Sequence, residues 1–248
     1  MSRFFRNTAA SRRAAGTSLA AVAVLLLVAT VAAAQMGILD DPNRTDEERA
    51  RDAGSKPLQV YEWLGIESGM TVGDIVPAGG YNTFLLAKVV GTGGHVVAAP
   101  AGDRLAGRFS DAGIDNVEVM GSLDGVPADS VDVYVCVRNV HDMMIPEVAQ
   151  QYNMMPDPIM QAAYRSLKPG GIFGVVDART DKMGVDSDTH RVNQQAVIDF
   201  MEGYGFEYVD SSELLANPDD DHSMAEFNEP NGRYTLDRML LKFRKPAM

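Results

Sequence analysis

The chain has 248 residues and carries 34 acidic against 22 basic side chains, a formal charge of −12 whose surface repels a phosphate backbone and argues against nucleic acid as a partner. Cys136 is the only cysteine, which excludes an intrachain disulfide framework, so an ordinary apolar core must hold the fold together.

Residues 1–34 read as an export signal. Arg3, Arg6, Arg12 and Arg13 precede a charge-free apolar run from Leu19 to Ala34, and Ala32-Ala33-Ala34 before Gln35 matches the small-residue pattern of a signal-peptidase site. The run is short for a membrane span. The expectation is therefore a periplasmic protein with no stable span after cleavage; the alternative is an uncleaved anchor holding the same domain at the outer face of the inner membrane. Ser11-Arg12-Arg13 hints at a twin-arginine signal, although the bulky apolar pair that should follow is missing. Removing four arginines and no acid takes the charge from −12 to −16.

Residues 35–56 are polar and charged and read as a tether with a short helix; residues 57–248 form one α/β domain. Pro57 suits the first turn of a helix that presents Val60, Trp63 and Leu64 on one face before Gly65. An alternating series follows: strand 71–76, helix 82–90, strand 95–99, helix 104–112, strand 117–120, strand 131–137. A helix carrying Ile159, Ala162, Ala163 and Leu167 then stops at Lys168-Pro169-Gly170-Gly171 before strand 172–176. Near-continuous apolar runs such as "VDVYVCV" mark strands covered on both faces, where Cys136 is a small buried hydrophobe, and the alternation implies parallel pairing with right-handed crossovers. The last third is different: helix 191–201, a strand at 206–209, the acidic stretch "NPDDDH" and a strand at 234–243, the two strands pairing antiparallel.

In open parallel sheets a ligand sits beyond the carboxyl ends of the strands. That place is occupied by "VGDIVPAGGYNT", residues 72–83, a strand running into a glycine-bearing turn and a helix. Asp74, Ile75 and then Val76-Pro77-Ala78-Gly79-Gly80 resemble the first motif of the class I S-adenosylmethionine-dependent methyltransferases, an acidic residue, an apolar one and Gly-x-Gly-x-Gly, of which only the last glycine is retained. "VDVYVCVRNVHDM", "AYRSLKPGGIFGVVD" and the terminal hairpin extend the resemblance over most of residues 57–243. More narrowly, Pro77 to Gly80, Asn139 to Asp142 and His190-Arg191 look like those of a set of exported bacterial methyltransferase-like proteins.

The resemblance implies a Rossmann-like class I methyltransferase fold, a mostly parallel seven-stranded sheet with a C-terminal antiparallel hairpin. It also implies S-adenosylmethionine as cofactor and a small-molecule substrate. Asp74, Pro77, Ala78, Gly79, Gly80, Tyr81, Ala99 and Asn139 fall at the cofactor, where Tyr81 either lies over the methionine portion or packs on the neighbouring helix. The second strand ends Ala98-Ala99-Pro100, where the family usually places an acid for the ribose hydroxyls. His141, Asp142, Asp177, His190 and Arg191 fall on the acceptor side: His141 as a general base or substrate contact, Asp142 there or capping a helix, Asp177 orienting a histidine or capping a loop, His190 and Arg191 at a helix start. No H-E-x-x-H spacing marks a metal site, and none is expected. Two alternatives stay open: a methyltransferase-fold binding protein without the methyl donor, and a His/Asp-based enzyme on the same fold, for which imidazole plus carboxylate would also suit Zn, Fe or Mn. Oligomeric state is not legible.

Overall fold

The computed structural model describes residues 37–225 and 235–247, so the export-signal segment and Tyr234 lie outside the described residues. The chain divides into two compact units, Met1–Asp41 and Pro42–Met248. Of the first, only a short helical stretch at 37–41 is described. The second carries the α/β fold.

Its helices are α1 (Asp46–Ser55), α2 (Pro57–Leu64), α3 (Tyr81–Val90), α4 (Asp103–Asp111), α5 (Val140–Met143), α6 (Pro146–Gln151), α7 (Pro156–Ser166) and α8 (Gln194–Gly203). The strands are β1 (Thr71–Ile75), β2 (His95–Ala99), β3 (Val117–Val119), β4 (Val131–Val137), β5 (Leu167–Ala178), β6 (Val185–Asp186), β7 (Arg191–Val192), β8 (Glu207–Ser212) and β9 (Arg238–Arg244). Seven of them form one sheet in the order β3-β2-β1-β4-β5-β9-β8. The first five pair in parallel, and β9 pairs antiparallel with both β5 and β8. This is the expected Rossmann-like arrangement with its antiparallel end.

Burial follows the apolar runs. Val72, Val96, Val131, Phe173 and Leu241 are fully buried in the sheet, each side chain contributing about 1.5–3 kcal/mol relative to exposure. Gly73 is required by close packing: a Cβ there would lie 2.0 Å from the Tyr134 ring. Cys136 is buried, which pushes its thiol well above the ordinary range and leaves it unreactive. Met143, Met154 and Met160 are core filling, while Met155 is half exposed.

Two boundaries differ from expectation in ways that matter for function. His190 and Arg191 do not begin a helix. Arg191–Val192 pairs with Val185–Asp186 as a two-stranded ribbon, and α8 starts only after Asn193, whose side chain caps the Gln195 amide at 2.9 Å. The "LKPGG" segment is drawn into β5, with a register break between the Val131 and Val133 pairs. Among the described residues, no helix is long and apolar enough to cross a membrane.

Candidate functional site

The sheet order reverses between β1 and β4, so the switch point lies where the 76–80 turn leaves β1. Three alternate positions of that turn have positive φ: Val76 at 53°, Ala78 at 49° and Gly80 at 81°. These are the Gly-x-Gly-x-Gly positions. The backbone adopts left-handed conformations that glycine favours, and valine and alanine hold two of the three positions, at a cost on the order of 1–2 kcal/mol each. Neighbours hold the turn in place. The Val76 amide donates to the Ala99 carbonyl (3.0 Å), Gly80 donates to Pro77 (2.8 Å), and the Asn139 side chain donates to the carbonyls of Val76 (3.2 Å) and Val137 (2.8 Å).

Beneath the turn, Asp74 is buried and accepts a 2.6 Å hydrogen bond from the Thr83 hydroxyl. Burial pushes its carboxyl up to about 7, with the Thr83 bond and the Arg51 charge offsetting part of that rise. At Gly80 a Cβ would come within 2.6 Å of Leu105, whereas at Gly79 it would meet nothing within 4 Å, so Gly79 faces open space. That space is a cleft of about 410 Å³ lined by Val76, Ala78 and Gly79 on one side and by Pro100, Gly102, Arg104 and Arg108 on the other, a volume in the range of small-molecule sites. The amides of Ala78 and Gly79 have no acceptor among the described residues. They stand at the N-terminal end of α3, where backbone donors suit anionic or acceptor groups.

These features fit a nucleoside-bearing ligand at the turn. The lining carries no carboxylate: Ala99 at the end of β2 is buried, and Arg104 and Arg108 are the charged residues that border the cleft.

Residues 42–55 were not legible as part of this site. Arg108 donates to the Gly79 carbonyl and, at 2.6 Å, to Glu48 of α1. The Tyr81 hydroxyl donates to Asp52 (2.7 Å), which Arg44 grips with two bonds of 2.6 and 2.7 Å, and the Arg51 guanidinium lies 4.1 Å from the Tyr81 ring centroid. Tyr81 thus packs under α1. The only sequence signal was the capping box of Thr45 and Glu48, which marks where α1 starts.

On the β4–β5 side, four expected residues converge. Asp177 closes β5 and accepts from the His141 amide (2.9 Å), the His141 ring at Nδ1 (2.6 Å) and the Ala178 amide (2.9 Å). One carboxylate therefore caps α5 and fixes the imidazole. His141 Nε2 lies 3.1 Å from Asp142 Oδ1, which also lies 2.7 Å from His190 Nδ1. The two imidazoles meet edge to face with centroids 5.6 Å apart. Burial works against charge on His141, but the Asp177 charge and hydrogen bonds to Asp142 and Asp177 outweigh it and raise its pKa to about 9. Burial likewise pushes Asp142 up, and the two histidines more than reverse it, holding the carboxyl below its ordinary range. His141 is fully buried; His190 and Asp142 are the members that reach solvent, at 23% and 19% side-chain exposure.

Arg191 goes elsewhere. Its guanidinium is fully buried and donates to Asp220 (2.9 and 3.2 Å) and to the carbonyls of Arg179 and Met224 (both 3.0 Å). The acidic "NPDDDH" stretch supplies that partner, and its His222 contacts Asp237 at 3.0 Å, which ties the stretch to the fold.

No family model matches the chain. Among solved structures, it is similar to an S-adenosylmethionine-dependent methyltransferase from Aquifex aeolicus, with 18% identity over 82% of this chain and 100% of that one and a TM-score of 0.56. It is similar at 14% identity to the 1,6-didemethyltoxoflavin-N1-methyltransferase of Burkholderia thailandensis, solved with 1,6-didemethyltoxoflavin and S-adenosylhomocysteine, over 96% and 94% of the two chains at a TM-score of 0.54. It also resembles the [4+2]-cyclase SpnF at 15% identity over 79% and 82%, TM-score 0.57. The fold is that of the class I methyltransferases.

Proposed function

We propose that this protein is an exported methyltransferase that takes S-adenosylmethionine as donor and a small molecule as acceptor. The observation that carries the proposal is the turn at Val76, Ala78 and Gly80, which holds three left-handed residues beside an open cleft although valine and alanine occupy two of the positions. A turn with no ligand to admit would be expected to relax or fill.

When bound, the cofactor supplies an electrophilic methyl group. The chain's part is to hold, orient and shield it. The Ala78 and Gly79 amides meet acceptor atoms of the donor, Asn139 keeps the turn in register with β4, and α1 covers the site through Tyr81 and Asp52. His190 is the histidine that an acceptor reaches, and Asp177 and His141 position Asp142 behind it. Export rests on residues 1–34 alone, and the likeness to exported bacterial proteins on Pro77–Gly80, Asn139–Asp142 and His190-Arg191.

A second reading, a methyltransferase-fold binding protein without the donor, is favoured by the Ala98-Ala99-Pro100 end of β2, which offers the ribose no carboxylate. Calorimetry with the purified protein separates the two. Heat of binding for S-adenosylmethionine or S-adenosylhomocysteine supports the first; no heat for either at millimolar concentration supports the second.

A further inference from the structure

We propose that His141, Asp142 and His190 form a binding site for one divalent transition-metal ion, Zn(II) or an ion of similar ligand preference such as Co(II). The site is independent of the methyl donor. Each residue offers one ligand atom, and the three atoms lie within 4.8 Å of one another. His141 Nε2 and Asp142 Oδ1 are 3.1 Å apart, and His190 Nδ1 and the same oxygen 2.7 Å. Two ligand atoms bound at about 2.0–2.2 Å from one ion at tetrahedral or octahedral angles stand about 3.0–3.5 Å apart, so small rotations of the side chains accommodate it. Two imidazoles and a carboxylate are a donor set for borderline metals, whereas calcium and magnesium favour oxygen-rich sites.

The surroundings select the same role. The Asp177 carboxylate accepts from His141 Nδ1 at 2.6 Å and is itself fixed by two backbone amides at 2.9 Å. With Nδ1–H held by Asp177, an ion that displaces the proton on Nε2 meets a ring already oriented, the arrangement in which an outer carboxylate fixes a metal-ligating histidine, and Nε2 lies 3.1 Å from Asp142 Oδ1. His190 is held with φ at 51°, a conformation that non-glycine residues adopt at a cost and that places its ring edge-on to His141. His141 is fully buried, but His190 and Asp142 reach solvent. An ion there has three protein ligands and an open side on which water, or an oxygen or nitrogen atom of a small molecule, completes the shell.

The test uses untagged full-length protein treated with chelator, dialysed and titrated with Zn(II) by calorimetry and with Co(II) by visible absorption, without methyl donor. One equivalent per chain is expected, with Co(II) bands of low-symmetry nitrogen and oxygen coordination. His190→Ala and Asp142→Asn, both at partly exposed positions, should abolish the bands while circular dichroism stays native. Asp177→Asn should weaken affinity by about 10–100-fold, and His222→Ala should leave it unchanged. Absence of stoichiometric binding by the folded protein overturns the proposal. So does binding that survives in both His190→Ala and Asp142→Asn. Because no donor is present, failure of the methyltransferase reading leaves these outcomes readable.

Discussion

The side-chain amide of Asn139 donates to the Val76 carbonyl across the switch point of the sheet, 3.2 Å from a residue 63 positions earlier in the chain. A second bond to Val137 at 2.8 Å anchors the same side chain to the end of β4. Asn139 therefore ties the turn to the strand that carries His141. Asn139→Ala removes both bonds, and with about 0.5–1.5 kcal/mol for each, a loss on the order of 2 kcal/mol is expected in urea unfolding. Donor affinity should fall in the same variant.

The left-handed turn makes a prediction of opposite sign. Ala78 is exposed with φ at 49°, so replacing it with glycine relieves backbone strain without leaving a cavity. Glycine's greater freedom in the unfolded chain offsets part of the gain. Ala78→Gly should raise stability by about 0.5–1 kcal/mol and shift the melting temperature upward, with donor affinity unchanged or improved.

Asp74 links stability to pH. Its carboxyl is raised to about 7 by burial, against about 3.9 in the unfolded chain. Between those values the folded state holds a proton that the unfolded state has released. The stabilisation is thus fully present below about pH 4 and is lost as pH rises through about 7. Asp74→Asn keeps an acceptor for Thr83 and cannot ionise. The unfolding free energy of the native protein minus that of Asp74→Asn should therefore fall, by a few kcal/mol, between pH 4.5 and 8. A flat difference would mean that Asp74 titrates normally.

Tyr81→Phe tests the cover formed by α1. It deletes the 2.7 Å bond to Asp52 but leaves Asp52 paired with Arg44 and the ring beneath Arg51. Loss of about 1 kcal/mol is expected. Amide hydrogen exchange should quicken selectively across residues 46–55, since a local change in α1 does not touch the sheet.

The central strands were legible because they are near-continuous apolar runs, β2 between Gly94 and Pro100 and β4 over "VDVYVCV". β2 and β4 begin and end where the apolar runs at 95–99 and 131–137 do. The meeting of His141 with Asp177 was legible too, because β4 and β5 are neighbours, His141 follows the carboxyl end of β4 and Asp177 lies at the carboxyl end of β5. Other parts depend on partners far off in the sequence. Arg191 reads as a polar helix start until Asp220, 29 residues later, turns its guanidinium into the interior. Tyr81 reads equally as a cofactor contact or as packing on a helix, and its bond to Asp52, 29 residues earlier, is not legible in either reading. Val76 is a β-branched residue, the last type that local propensity would place at positive φ, and only the pairing of its amide with Ala99 and its carbonyl with Asn139 holds it there.

The central claim is that the turn beyond β1 admits an adenosyl ligand. Its most direct test is a titration of the isotopically labelled protein with S-adenosylhomocysteine, followed through backbone amide resonances. The largest shifts should fall at Ala78, Gly79 and Gly80 and at residues 101–102 across the cleft, saturating with one site per chain. Resonances of those amides that stay unmoved at millimolar ligand would contradict the account.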